Sequence, residues 1–104
     1  MTVCIDNDQH LLIIDSGAHC SIVATNYLHN FLPNWEKQLL PIKAKTFESA
    51  SGKMTSIGKI LKEIIIPHRK GNIRLKPEFV VLDDAHIQGF LLGTNYQRMY
   101  GIDI

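Results

Sequence analysis

The stretch that most constrains this chain is Leu11-Leu12-Ile13-Ile14-Asp15-Ser16-Gly17-Ala18. Four consecutive aliphatic residues predict a strand buried on both sides. That strand ends in a carboxylic acid, followed at once by a hydroxyl and a glycine. Burial perturbs the pKa of an acid at the exit of a core, and rigid backbone holds it in place, so Asp15 is a candidate general acid or base. Acids at strand ends also cap turns, and this stretch taken alone leaves both roles open. Gly17 permits a sharp turn that a β-carbon would resist.

Around this stretch the pattern is that of an all-β chain. Val3 to Ile5 predicts a short strand, Asp6-Asn7-Asp8 has turn composition, and Gln9 to Asp15 returns as the second strand of a hairpin. Ser21 to Leu28 carries β-branched and apolar residues in no clean period and reads as a strand or a single helical turn. Asn30 to Trp35 reads as a loop in which Trp35 is a packing anchor. Lys43 to Ser49 alternates weakly, Ala50-Ser51-Gly52-Lys53 is a small polar tip, and Met54 to Ile66 is extended, which together predict a projecting hairpin. Ile57, Ile60, Leu61 and Ile64 also fit a helical spacing, but β-branched content and the stop at Pro67 favour a bent strand.

Pro67 to Asn72 is a turn whose basic residues read as a solvated tip, and Ile73 to Leu82 predicts a returning strand disturbed at Pro77. Asp83-Asp84-Ala85-His86 is turn material. Ile87 to Tyr96 is an apolar strand broken by glycine, Asn95 to Tyr100 has the composition of a short helix closed by Gly101, and Ile102-Asp103-Ile104 alternates like a strand.

A length of 104 residues with 45% hydrophobic content predicts one domain over 1–104. Lysines and arginines number 11 against 10 acids, a net charge of +1, and no like-charge block accumulates, so nucleic acid is not the implied partner. No apolar run exceeds four residues, against the roughly 20 that a membrane-spanning helix needs. Met1 to Asp6 lacks the features of a secretory signal. Cys4 and Cys20 could pair, but that N-terminus predicts a reduced, intracellular chain in which both act as small buried hydrophobes. The five histidines, at 10, 19, 29, 68 and 86, show no recurring ligand spacing, so no metal and no cofactor is expected.

Asp15-Ser16-Gly17-Ala18 after an apolar strand, the hairpin around Ser51-Gly52-Lys53, and Leu91-Leu92-Gly93 before Asn95 to Tyr100 occur here in one order over nearly the whole chain. In that order and spacing the chain resembles the retropepsin family, most closely the protease segment of gypsy-type long-terminal-repeat retrotransposon polyproteins. The resemblance implies a small, closed, barrel-like acid-protease fold with a flap hairpin and one short C-terminal helix. It also implies an aspartic endopeptidase that processes a polyprotein in the cytoplasm, within a retroelement particle. Its roles map onto Asp15 for chemistry, Ser16 and Gly17 for active-site geometry, and Ala18, Ser51, Gly52 and Lys53 for substrate contact. Two features depart from the family. Many retroviral members carry an arginine where this chain has Thr94, and the C-terminal strand is short.

Hydrolysis by activated water needs one carboxylate to take a proton and one carboxylic acid to polarise the carbonyl. Two carboxyls about 3 Å apart share one proton, because both cannot ionise. The chain holds a single Asp-Ser-Gly, so the implied partner is a second copy, giving a two-fold homodimer with Asp15 facing its counterpart. Two other readings are a catalytically idle dimerisation or peptide-binding module of the same fold, and a hydrolase using His19 and Cys20 as a thiol pair. Neighbouring side chains on an extended segment point apart, which disfavours the thiol pair.

Overall fold

The chain enters its sheet through a tight hairpin. In a computed structural model, which describes residues 1–14, 20–42, 46–49, 52–83 and 87–93, strand β1 (Thr2–Ile5) pairs antiparallel with β2 (Asp8–Ile14). The two connecting residues, Asp6 and Asn7, both have positive φ (52° and 68°). A two-residue hairpin turn with that geometry matches the twist of its strands, and Asp and Asn tolerate it best after glycine.

Next come β3 (Ile22–Ala24), helix α1 (Thr25–Phe31) and a single 3₁₀ turn (Trp35–Gln38). The ambiguous stretch after Cys20 is thus both a strand and a helix. Ile22 and Val23 suit a pleated surface, and α1 then buries Thr25, Tyr27 and Leu28 against the sheet. Trp35 is a packing residue, as expected: its ring is buried and its Nε1–H donates to His29 Nδ1 at 3.4 Å.

Strands β4 (Thr46–Ser49) and β5 (Gly52–Leu61) form the projecting hairpin, and β6 (Ile64–Ile66) follows after a break at Lys62-Glu63. Met54 to Ile66 is extended and not helical, as expected, but it is two strands with different neighbours, β5 beside β4 and β8, β6 beside β1 and β7, in place of the one bent strand that the sequence predicts. The stretch from Ile73 to Leu82 departs from expectation. It is two strands, β7 (Ile73–Leu75) and β8 (Glu78–Asp83), separated at Lys76-Pro77. β7 pairs with β6, whereas β8 pairs with β5 and β3. Proline cannot donate to a ladder, so the chain changes neighbours where a ladder bond is lost. Strand β9 (Phe90–Leu92) completes one sheet of order β4-β5-β8-β3-β9-β2-β1-β6-β7.

The core draws Val3, Ile5, Leu12, Val23, Leu28, Ile60, Ile64, Phe79, Val81, Phe90 and Leu92 into one cluster. Phe79 and Phe90 meet edge to face at 4.9 Å between centroids. Leu11 to Ile14 is less enclosed than four aliphatic residues suggest. Leu12 is fully buried and Ile14 packs on the core, but Leu11 is 47% exposed. Alternation of the strand turns Leu11 to the face opposite Leu12. Cys4 and Cys20 are likewise only partly buried, and both are free thiols.

Lys62 ties the bend between β5 and β6 to the first hairpin. It is 6% exposed and donates to Asp6 Oδ2 at 2.6 Å, across the αL turn.

Candidate active site

β2 and β9 run parallel, with Leu12, Ile13 and Ile14 opposite Phe90, Leu91 and Leu92. On the other side of β9, β3 runs antiparallel, with Ile22 opposite Leu91. β2 therefore ends, and β3 begins, on opposite sides of β9 at the end where Leu91 and Leu92 lie. The interval between them is where the sequence places Asp15-Ser16-Gly17-Ala18. These four residues lie outside the described ones, so what the structure defines is the frame that holds them.

Both ends of the frame are tightly fixed. Asp15 follows directly on Ile14, which is paired with Leu92. At the far end Cys20 lies against Gly93, where a β-carbon would come within 2.7 Å of the Cys20 carbonyl carbon and 2.8 Å of its oxygen. Only glycine permits that approach without moving backbone. The Gly93 N–H donates to Ser21 Oγ at 3.0 Å, and the Val80 N–H donates to the Ser21 carbonyl at 2.8 Å. Thr25 Oγ1 donates to Asp83 Oδ1 at 3.1 Å, closing the lower end of β3 onto β8.

The flap hairpin is present as a β4–β5 ladder in which Ser49 pairs with Gly52 and Glu48 with Lys53. Gly52 and Lys53 are thus the opening residues of β5, and Ser51 lies outside the described residues. From β5 the sheet runs through β8, β3 and β9 to β2, so the hairpin and β2 belong to one sheet. The flap stem is braced by a bridge between Leu40 and Lys59. Gly58 permits it, since a β-carbon there would sit 2.8 Å from the Leu40 carbonyl oxygen.

Two residues beside this frame carry no motif signal. Ser21 is one. The other is His10, which sits on β2 facing inward with Leu12 and is 4% exposed. Its Nδ1 is 2.6 Å from Tyr27 Oη, and Tyr27, Phe31 and Phe90 surround its ring edge to face. Its Nε2 is buried without a hydrogen-bond partner among the described residues. Burial lowers the His10 pKa below the usual imidazole value, with Asp8 and Asp6 pulling weakly the other way, so the ring is neutral. Burial likewise raises the Tyr27 pKa and keeps its phenol protonated. Alternation along β2 is the signal that finds His10, because it shares the inward face of Leu12. Among the described residues no group of His, Cys, Asp or Glu could hold a metal ion.

This architecture is a retropepsin-like fold, a curled β-sheet with a hairpin of β4 and β5 and with β2 and β3 on either side of β9. The chain is similar to the solved structure of the EIAV protease complexed with the inhibitor HBY-793, with a TM-score of 0.59 and 17% identity over 100% of this chain and 88% of that one. It is also similar to the retroviral protease-like domain of Ddi1 from Leishmania major, with a TM-score of 0.68 and 16% identity over 99% of this chain and 78% of that one. Neither a family model nor a curated protein matches the sequence.

Proposed function

We propose that this chain is an aspartic endopeptidase of the retropepsin type, in which Asp15 of two identical copies shares one proton and activates water. The observation that carries the reading is that β2 ends at Ile14 and β3 begins at Ile22 on opposite sides of β9, with Asp-Ser-Gly-Ala in the interval between them. It gives Asp-Ser-Gly-Ala rigid anchors at both ends. The fold shared with the EIAV protease and with the Ddi1 domain supports it.

One carboxyl takes a proton from water while the other donates to the scissile carbonyl, and their titration belongs to the pair. Ser16 and Gly17 set the geometry of the loop, Ala18 forms the substrate floor, and Ser51, Gly52 and Lys53 close over an extended peptide. The substrate class is a polyprotein segment, and the order of motifs favours a gypsy-type retroelement as the source, acting inside the cell.

Incubating the purified protein with a flanking polyprotein fragment tests this. Cleavage is expected to be blocked by statine-type transition-state mimics, to resist thiol alkylators, and to vanish in a folded Asp15→Asn variant. Activity that survives Asp15→Asn, or that falls to alkylation of Cys20, contradicts it. A folded protein with no cleavage in any arm returns the idle peptide-binding module.

A further inference from the structure

We infer that His10 is the catch of an acid-released latch: its neutral ring holds helix α1 on the sheet through Tyr27, and a proton taken up by that ring lifts the C-terminal half of α1 while the sheet stays paired. The latch is independent of whether the chain cleaves peptides.

His10 lies on β2 opposite Val3 of β1, and three aromatic rings surround it. Phe90 comes from β9, whereas Tyr27 and Phe31 come from α1, one turn apart on the same helix face. A neutral imidazole has one N–H and one lone pair, and in either tautomer Nδ1 meets Tyr27 Oη. The protonated ring has two N–H donors and a charge. Nδ1–H can still reach Tyr27 Oη, but Nε2–H finds no acceptor among the described residues, and the ring is cut off from water.

Among the described residues, the groups that face the ring do little to hold that charge. α1 brings the Tyr27 phenol, which burial keeps protonated, while β9 and β1 bring Phe90 and Val3, which cannot ionise. Asp8 on β2 and Asp6 in the adjoining turn favour the charged ring, and Asp6 is already engaged by Lys62. Burial outweighs both carboxylates, so the charged ring gains by reaching water.

Which wall yields is decided by how each is held. Phe90 cannot withdraw without parting β9 from both β2 and β3. α1 has seven residues, no side-chain bond at its N-cap and no acid in its first turn, so it persists by packing alone. Thr25 is tied to Asp83, which makes the first turn the pivot, and Phe31 at the far end is already 50% exposed. Near that end His29 Nδ1 accepts from Trp35 and lies 4.0 Å from Glu36 Oε1. A proton on His29 would disturb the same end of the helix, so the two imidazoles have to be separated by mutation.

The experiment compares wild type, His10→Leu and His29→Gln as full chains at one protein concentration. Both rings are titrated by NMR between about pH 7.5 and about pH 5, and amide hydrogen exchange, corrected for its intrinsic pH dependence, is followed at residues 29–32 of α1 and 79–82 of β8. In wild type, protection of the α1 amides is expected to fall about tenfold or more in step with the His10 titration, because the opened ring binds its proton near the usual imidazole value. The β8 amides should change less than about threefold, His29→Gln should behave as wild type, and His10→Leu should lose the α1 response.

Loss of protection in α1 and β8 together overturns the inference. So does an α1 that stays protected once His10 has charged, a His10 ring that stays neutral throughout the range, an α1 response that survives in His10→Leu, or one that vanishes in His29→Gln. If His10→Leu does not fold, His10→Phe takes its place with the same expectations, because it keeps a ring in the cage that cannot take up a proton.

Discussion

Replacing Tyr27 by phenylalanine removes one oxygen atom and takes away the hydrogen-bond partner of His10 Nδ1. Because Nε2 already has none among the described residues, Tyr27→Phe leaves an imidazole 4% exposed with both nitrogens unpaired. A buried polar atom stripped of its partner costs about 1–3 kcal/mol, so the midpoint of thermal unfolding should fall by about 4–8 °C for each kcal/mol in a domain of this size. His10→Leu removes both ring nitrogens, and in that background Tyr27→Phe should cost far less. The double-mutant cycle should return a coupling of about 1 kcal/mol or more.

The same site fixes a pH dependence. The folded-state pKa of His10 lies below the unfolded value near 6.5, so in the window beneath that value the unfolded chain binds more protons. Stability is then full above pH about 6.5 and is lost as pH falls toward the folded pKa, with a slope of at most about 1.4 kcal/mol per pH unit for one proton. Asp8 and Asp6 temper the loss but do not reverse it. Thermal melts from about pH 8 to about pH 5, at fixed protomer concentration, read both effects. A Tyr27→Phe protein that melts with the wild type, or a pH dependence in this window that is the same in wild type and His10→Leu, would refute the reasoning.

Two further outcomes follow from close contacts. Gly93→Ala places a methyl 2.7 Å from the Cys20 carbonyl carbon, so it should cost about 1–3 kcal/mol in stability and remove most peptidase activity, read by melting and by turnover. The Asp6–Lys62 pair should respond unequally in melts. Asp6→Ala strands the ammonium of a nearly buried lysine and should cost about 1–3 kcal/mol, whereas Lys62→Met keeps the packed stem, leaves a half-exposed carboxylate, and should cost under about 1 kcal/mol.

Much of this architecture is legible from local chemistry. Asp6-Asn7 marks a hairpin turn because few other pairs tolerate two positive φ values, and Ile64 to Ile66 stays extended because β-branched residues crowd a helix. Asp15-Ser16-Gly17-Ala18 stands out because it sets an acid, a hydroxyl and a glycine directly after four aliphatic residues.

What escapes a reading of the sequence is set by distant partners. The split of Ile73 to Leu82 into two strands depends on β8 finding β3, a pairing between residues far apart in the chain. The exposure of Leu11 depends on which face of the sheet is covered, which no run of aliphatic residues can state. Ser21 looks like any serine, and its task exists only because Gly93 comes to meet it from 72 positions away.

The central claim, that each chain supplies half of a two-fold site through Asp15, is tested most directly by specific activity across a dilution series, followed in parallel by sedimentation. Thr94 stands where the resemblance to retroviral members leads one to expect an arginine. The dimer is therefore expected to be weak, near micromolar, or about 8 kcal/mol of association free energy. Specific activity should decline as total protein falls through that range, the sedimenting species should pass from dimer to monomer over the same range, and a transition-state mimic spanning both copies should move both transitions to lower concentration. A chain that sediments as a monomer throughout and keeps constant specific activity would contradict the shared site and require a second acid from within the same chain.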